Sequence, residues 1–171
     1  MRILLGIAGA LVAIVLVTSI VAVLVGRRLP ERHTATVTRD IPAPLARVAA
    51  IVRDIEAQPT WRTGLKRIVV SERPAGALRY VEHGSNGEIP FVFREVVPDR
   101  EFRSVIDTDA LPFGGEWTFT LTALDSTRTQ ITIREDGVVR SALFRFVSTY
   151  LMGHTRTING YLDDLAKAAP R

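Results

Sequence analysis

Apolar residues follow three patterns along this chain: nearly continuous over 3–25, largely alternating over 33–139, and recurring every three or four positions from 142 onward. The first run, ILLGIAGALVAIVLVTSIVAVLV, has no charge and only Thr18 and Ser19 as polar side chains. At about 1.5 Å per residue a helix of this length spans about 35 Å, enough to cross a hydrocarbon core of about 30 Å. A helix is also the state in which a lone span satisfies its own backbone inside a bilayer. The competing reading is a cleaved secretion signal. Against it stand the length of the apolar run, an n-region of only Met1 and Arg2, and no small-x-small site before Arg27. The pattern therefore predicts a transmembrane anchor over 1–26, a short polar linker with a proline over 27–32, and one domain over 33–171. Arg27, Arg28 and Arg32 follow the span, whereas Arg2 alone precedes it, which predicts a single-pass protein with a cytoplasmic domain.

The second pattern predicts strands. Residues 33–41 (HTATVTRDI) are β-branched and partly alternating, and Pro42 and Pro44 end them. Pro44 suits the first turn of a helix, and Leu45, Val48, Ala49, Val52 and Ile55 continue at helical spacing. A second short turn or helix is expected over 56–60, before Trp61. Strands follow near 65–72, 78–83, 88–97, 101–107, 115–123 and 129–136. They are separated by turn chemistry at 73–76, 84–87, 98–100, 112–115 and 125–127. Connections this short favour an antiparallel meander.

The third pattern predicts one long amphipathic helix over about 142–168. Leu143, Val147, Tyr150, Leu151, His154, Ile158, Tyr161, Leu162 and Leu165 share a face, and that face needs a sheet to cover.

Charge changes the picture only once the anchor is separated. The chain has 22 basic and 18 acidic residues, but Arg2, Arg27, Arg28, Arg32 and Glu31 lie beside the span, leaving 18 against 17. The remaining charges are mixed, unlike the basic face of a nucleic-acid binder, so no nucleic-acid partner is expected. The arginines beside the span read as topology determinants and contacts for anionic head groups. The absence of cysteine fits either redox compartment.

Three segments carry a family resemblance: Ile41-Pro42-Ala43-Pro44 through Ile55 with Pro59-x-Trp61; Gly114 to Leu121 (GGEWTFTL) with Thr129 to Gly137 (TQITIREDG); and the closing Tyr161-Leu162-x-x-Leu165. In this order they resemble the START-like (SRPBCC) superfamily, which includes polyketide cyclase/dehydrase-like proteins and lipid-transfer domains. The resemblance covers 33–168. It implies an α+β helix-grip fold, a curved antiparallel sheet of about seven strands wrapped on a long C-terminal helix. In many members an apolar cavity lies between sheet and helix. It implies no shared catalytic motif.

Candidate chemistry is sparse. Trp117, Phe119 and Leu121 share one strand face, which looks inward either at packed core or at a cavity. Trp61, Tyr80, Phe91, Phe93, Phe146 and Tyr150 pose the same choice. Glu135 continues the inward face of Ile131 and Ile133, where a carboxylate needs a partner or a proton. If the strand ends at Gly137, Glu135 sits instead at a wet rim. His154 lies on the apolar stripe, where a lone histidine is either a hydrogen-bonded core residue or an acid/base group meeting Glu135 across a cavity. His33, His83 and His154 lack close metal-ligand spacing, so no metal is expected, and no phosphate loop or other cofactor motif occurs.

Three functions are compatible with these residues. The first is a membrane-tethered module binding an apolar small molecule or lipid. The second is a cyclase/dehydratase-like enzyme using Glu135 and His154, with Tyr80 or Tyr150. The third is a cavity-less protein-interaction domain at the membrane.

Overall fold

The computed structural model describes residues 2–85 and 87–169, with side chains from residue 11 onward. Helix α1 (Arg2–Arg28) is followed by strand β1 (Arg32–Ile41), helix α2 (Leu45–Arg53) and a single 3-10 turn (Gln58–Thr60). Six strands come next: β2 (Leu65–Glu72), β3 (Leu78–Gly84), β4 (Gly87–Val97), β5 (Glu101–Ile106), β6 (Phe113–Ala123) and β7 (Thr129–Val139). The chain closes with α3 (Ala142–Val147), a π turn (Ser148–Met152) and α4 (Arg156–Ala168).

All seven strands form one antiparallel sheet in the order β1-β7-β6-β5-β4-β3-β2. The meander β2 to β7 is the expected product of short turns, and β1 closes the far edge against β7. Register shifts interrupt the ladder between Leu65 and Arg67, between Val70 and Glu72, and between Glu95 and Val97. Such irregularities bend a strand and add twist, which helps the sheet curl.

The apolar faces of α2 and α4 fill one core with the sheet. Val48, Ala49, Val52 and Ile55 join Ile158, Leu162 and Leu165, together with Ile41, Phe102, Phe119, Leu121, Ile131 and Ile133. Pro44, with φ −60°, starts α2 where its missing N–H costs nothing. Asp164 fastens the other helix: its carboxylate accepts hydrogen bonds from the Thr63 N–H at 2.6 Å and the Thr63 hydroxyl at 3.2 Å. Burial acts to raise the Asp164 pKa, but these bonds and nearby Lys167 outweigh it and hold the carboxyl below its usual range.

The structure departs from the sequence expectations at three places. The closing helix is not continuous, because Gly153 adopts φ 74° and ψ 153° and ends the π turn, its N–H donating to Ser148 O at 2.9 Å. As a result Ile158, Tyr161, Leu162 and Leu165 are buried, while Leu143, Tyr150 and Leu151 of the same expected stripe are exposed. Gly114 and Gly115 belong to β6 rather than to the turn before it. Gly115 has φ 131°, and a Cβ there would sit 2.4 Å from Asp136 O, so only glycine allows β6 and β7 to approach. Finally, β7 runs on through Gly137 to Val139, so Glu135 is not at a strand end.

Helix α1 is long and apolar enough to cross a membrane by length and composition. Most of its apolar side chains face outward: Leu11, Val12, Ile14 to Val17, Ile20, Val21 and Leu24 are each 50–62% exposed. Its last turns touch the domain, where α3 packs against them and Ala22 and Gly26 are buried.

Candidate ligand-binding site

A cavity of about 640 Å³ opens between the concave face of the sheet and the helices. Alternation along the strands supplies its floor. Tyr80 on β3, Phe91 and Phe93 on β4, Ser104 on β5, and Trp117 and Phe119 on β6 all point to one side. Val52 of α2, Ile55 just after it and Tyr161 of α4 cover it. The aromatic rings brace one another: Tyr80 stacks on Phe91 at 5.5 Å, and Trp117 meets Phe119 at 6.0 Å and the Tyr161 edge at 5.9 Å. The mouth is marked by residues that line the cavity yet remain half exposed, Phe144 of α3 and Met152 of the π turn, each 49% exposed. Leu111, Pro112 and Phe113 also line it.

One corner of the cavity brings together Arg62, Glu82, Gln58 and Tyr161, while Ser85, Ser104, Glu116, Ser148 and Thr157 are further polar residues of its lining. Arg62, in the segment after the 3-10 turn, donates to Glu82 at 2.5 and 3.3 Å and to Gln58 Oε1 at 2.6 Å. Its guanidinium lies 5.3 Å from the centre of the Tyr161 ring. Burial opposes the charge on Arg62, but the Glu82 carboxylate outweighs it, so the guanidinium pKa is raised and the group stays cationic. The hydroxyl of Tyr161 is buried and, among the described residues, has no hydrogen-bond partner. Burial raises the pKa of both Tyr80 and Tyr161 well above the usual phenol value, so both remain protonated. This corner therefore sets a buried phenolic O–H without a protein partner among the described residues beside a part-buried guanidinium paired with Glu82.

The sequence-based candidates divide in two. Tyr80, Phe91, Phe93, Trp117 and Phe119 line the cavity. Trp61, Glu135, Phe146, Tyr150 and His154 are not among the lining residues. Trp61 packs edge-on behind Tyr161 at 5.3 Å. Phe146 and Tyr150 pair with each other at 5.1 Å on α3 and the π turn, and the π turn and Gly153 break the stripe on which Tyr150 was expected.

Glu135 and His154 do come close, but through His33 rather than across the cavity. His33 Nε2 lies 3.3 Å from Glu135 Oε1, and the rings of His33 and His154 stack at 4.0 Å. Gly137 makes room for this arrangement, since a Cβ there would be 2.3 Å from His33 Cε1. Burial, and then proximity to His33, push the His154 pKa down, while Glu135 pulls the other way. No cluster suited to a metal occurs among the described residues.

Sequence reasoning overlooked Arg62, Gln58, Glu82 and the role of the Tyr161 hydroxyl. One signal was available: Glu82 stands two residues after Tyr80 on the same strand face, an inward carboxylate that demands a cation.

Residues 32–169 match the profile of a family described as polyketide cyclase / dehydrase and lipid transport. The chain belongs to this family. A sequence comparison with curated proteins finds no match. Among solved structures the fold is similar to the Zhui aromatase/cyclase from Streptomyces sp. R1128, with a TM-score of 0.70 and 16% identity over 82% of this chain and 94% of that one. It is similar to a START superfamily protein from Mycobacterium smegmatis, with a TM-score of 0.63 and 17% identity over 81% and 97%. Norcoclaurine synthase from Thalictrum flavum, in complex with dopamine and hydroxybenzaldehyde, gives a TM-score of 0.63 and 10% identity over 80% and 86%. At these identities the likeness is one of fold. Family and fold together point to a ligand-binding or cyclase-type function.

Proposed function

We propose that this protein is a membrane-tethered binding module that holds one apolar small molecule or lipid in its helix-grip cavity. The observation that carries the reading is the cavity itself: about 640 Å³, walled largely by aromatic and aliphatic side chains, with a polar corner at Arg62 and Tyr161. A mostly apolar wall with a few convergent polar groups is the usual composition of a small-molecule site. The cavity-less interaction reading has no support from such an interior. The ligand lays its apolar body along Phe91 and Trp117 and turns an oxygen atom, a carbonyl, carboxylate or hydroxyl, to the Tyr161 O–H and the Arg62 cation. Helix α1 acts as the tether, keeping the cavity at the surface where apolar ligands partition, with the domain on the cytoplasmic side.

A cyclase-type reading draws on the same corner, because a guanidinium beside a phenol can stabilise negative charge developing on a carbonyl oxygen. Proton transfer by Glu135 and His154 is the less favoured version of it, since neither residue lines the cavity.

Photo-crosslinking tests the binding reading. The full chain in vesicles is incubated with a long-chain fatty acid bearing a diazirine near its methyl end. Labelling should map to β3, β4 and β6 peptides containing Tyr80, Phe91 and Trp117. Labelling confined to α1 would count against an occupied cavity.

A further inference from the structure

The segment from Ala142 to Met152 (ALFRFVSTYLM) exposes five large apolar side chains, more than any other stretch among the described residues of the domain. Leu143 is 42% exposed, Phe144 49%, Tyr150 58%, Leu151 71% and Met152 49%. Elsewhere among the described residues of the domain, large exposed apolar side chains are few: Val69, Val96, Val97 and Leu124. The single charge in the segment, Arg145, is turned inward and buried. Its Nε donates to Gly26 O at 2.8 Å, and its Nη1 reaches Glu31 Oε1 at 2.9 Å, Val139 O at 3.0 Å and Arg140 O at 3.1 Å. Gly26 O also accepts from the Leu29 N–H at 3.3 Å, and a cation on this last-turn carbonyl of α1 complements the helix dipole.

The same arginine therefore ties α1, β7 and α3 together. The contact is close: a Cβ on Gly26 would lie 1.8 Å from Ala142 O. It reaches back to Ala22, which is buried although it belongs to the apolar run, about 9 Å along the helix before Arg28. An element packed at that level cannot stand clear of a bilayer that α1 crosses.

We propose that α3 and the π turn are seated in the bilayer interface beside α1, so that the cavity mouth opens into lipid rather than into water. This rests on the tether reading of α1. The occupant of the exposed apolar face is the acyl and head-group boundary of the membrane. Leu143, Tyr150, Leu151 and Met152 enter it, and the exposed Arg27 and Arg28 lie at the level of the phosphates. Phe144, Ser148 and Met152 both face this boundary segment and line the cavity, so they form the threshold a ligand crosses. A ligand then exchanges laterally with the membrane and is never exposed to water. The Arg145 clamp fixes the mouth at the right depth.

The chain has no cysteine, which permits site-specific spin labelling of the full-length protein in vesicles of phosphatidylcholine and phosphatidylglycerol. Three single variants are compared: Leu16→Cys in α1, Leu151→Cys in the π turn, and Val97→Cys, an exposed apolar site on β4. Accessibility to oxygen against a water-soluble nickel chelate reports depth. The expected result is a lipid-like ratio at 16, an interfacial ratio at 151 and a water-like ratio at 97. A lipid-like ratio at 16 with a water-like ratio at 151 would overturn the seated mouth while leaving the tether intact. A water-like ratio at 16 would overturn the tether and the proposal with it. As a second measure, Leu151→Glu should slow uptake of a vesicle-borne photoreactive fatty acid about tenfold, since a charge is costly at the boundary. Unchanged uptake in that variant would also count against the mouth facing lipid.

Discussion

Replacing Tyr161 by Phe should separate the role of the polar corner in folding from its role in binding. The Tyr161 hydroxyl is buried with no protein partner among the described residues, while its ring packs against Trp61, Trp117 and Phe119. The substitution keeps the ring contacts and removes only the O–H. A buried hydroxyl without a partner costs about 1–3 kcal/mol, so its removal should leave the ligand-free protein unchanged or up to about 1 kcal/mol more stable. For a domain of this size that is a rise in Tm of about 2–5 °C at most. In the bound state the hydroxyl donates to the ligand oxygen, a hydrogen bond with a net worth of about 1 kcal/mol, or more if the oxygen is charged. Affinity should therefore fall roughly five- to tenfold. The assay is paired: thermal unfolding of the ligand-free protein, and titration with an oxygen-bearing apolar ligand identified from the purified protein. A variant that loses several degrees of Tm and binds as well as the parent would refute this assignment, because the hydroxyl would then be structural.

Breaking the Arg62–Glu82 pair should cost stability asymmetrically. Arg62→Met strands a largely buried carboxylate and should cost on the order of 2 kcal/mol, whereas adding Glu82→Gln should recover part of that loss, a coupling measurable by denaturant titration of the four-member cycle. Gly115→Ala should cost at least about 2 kcal/mol, since both its φ of 131° and the 2.4 Å approach to Asp136 O forbid a Cβ, and thermal unfolding will register it as a large drop in Tm. Because the folded state holds the His154 pKa below the ordinary value near 6.5, the unfolded chain binds the proton more readily. The associated stability is present above about pH 6.5 and is lost as pH falls through that value towards the folded pKa, so His154→Asn should flatten the Tm profile between about pH 7 and 5. In an alkaline absorbance titration, Tyr80 and Tyr161 should resist ionisation beyond pH 10 until the protein unfolds, and Tyr161→Phe should reduce the amplitude of that late transition.

Elements with one dominant periodicity were legible from the chain. The seven strands and α2 appear within a few residues of their expected limits, because alternation and proline or glycine punctuation act locally. The closing helix was misread because Tyr150 and Leu151 sit at helical spacing with Ile158 and Leu162. Periodicity does not reveal that Gly153 takes a positive φ between them. Gly114-Gly115 reads as a turn in isolation; its place in β6 follows from Asp136 and Gly137 lying opposite, a partner unknown until the sheet is assembled. The cavity wall followed from strand alternation at Tyr80, Phe91, Phe93, Trp117 and Phe119. Its polar corner did not, since Arg62, Glu82 and Tyr161 come from three separate elements and meet only in the folded domain. Glu135 and His154 were singled out as inward polar groups on apolar faces. In the fold His33 on the neighbouring strand contacts both of them, and none of the three lines the cavity.

The central claim, an aromatic cavity that carries an apolar ligand, is tested most directly by native mass spectrometry of the full chain released from detergent, followed by organic extraction. The account predicts one apolar, oxygen-bearing molecule per chain, retained by the parent and lost or much reduced in Trp117→Ala. A parent that is uniformly ligand-free, and that takes up nothing from a mixed panel of lipids and polyketides, would contradict it.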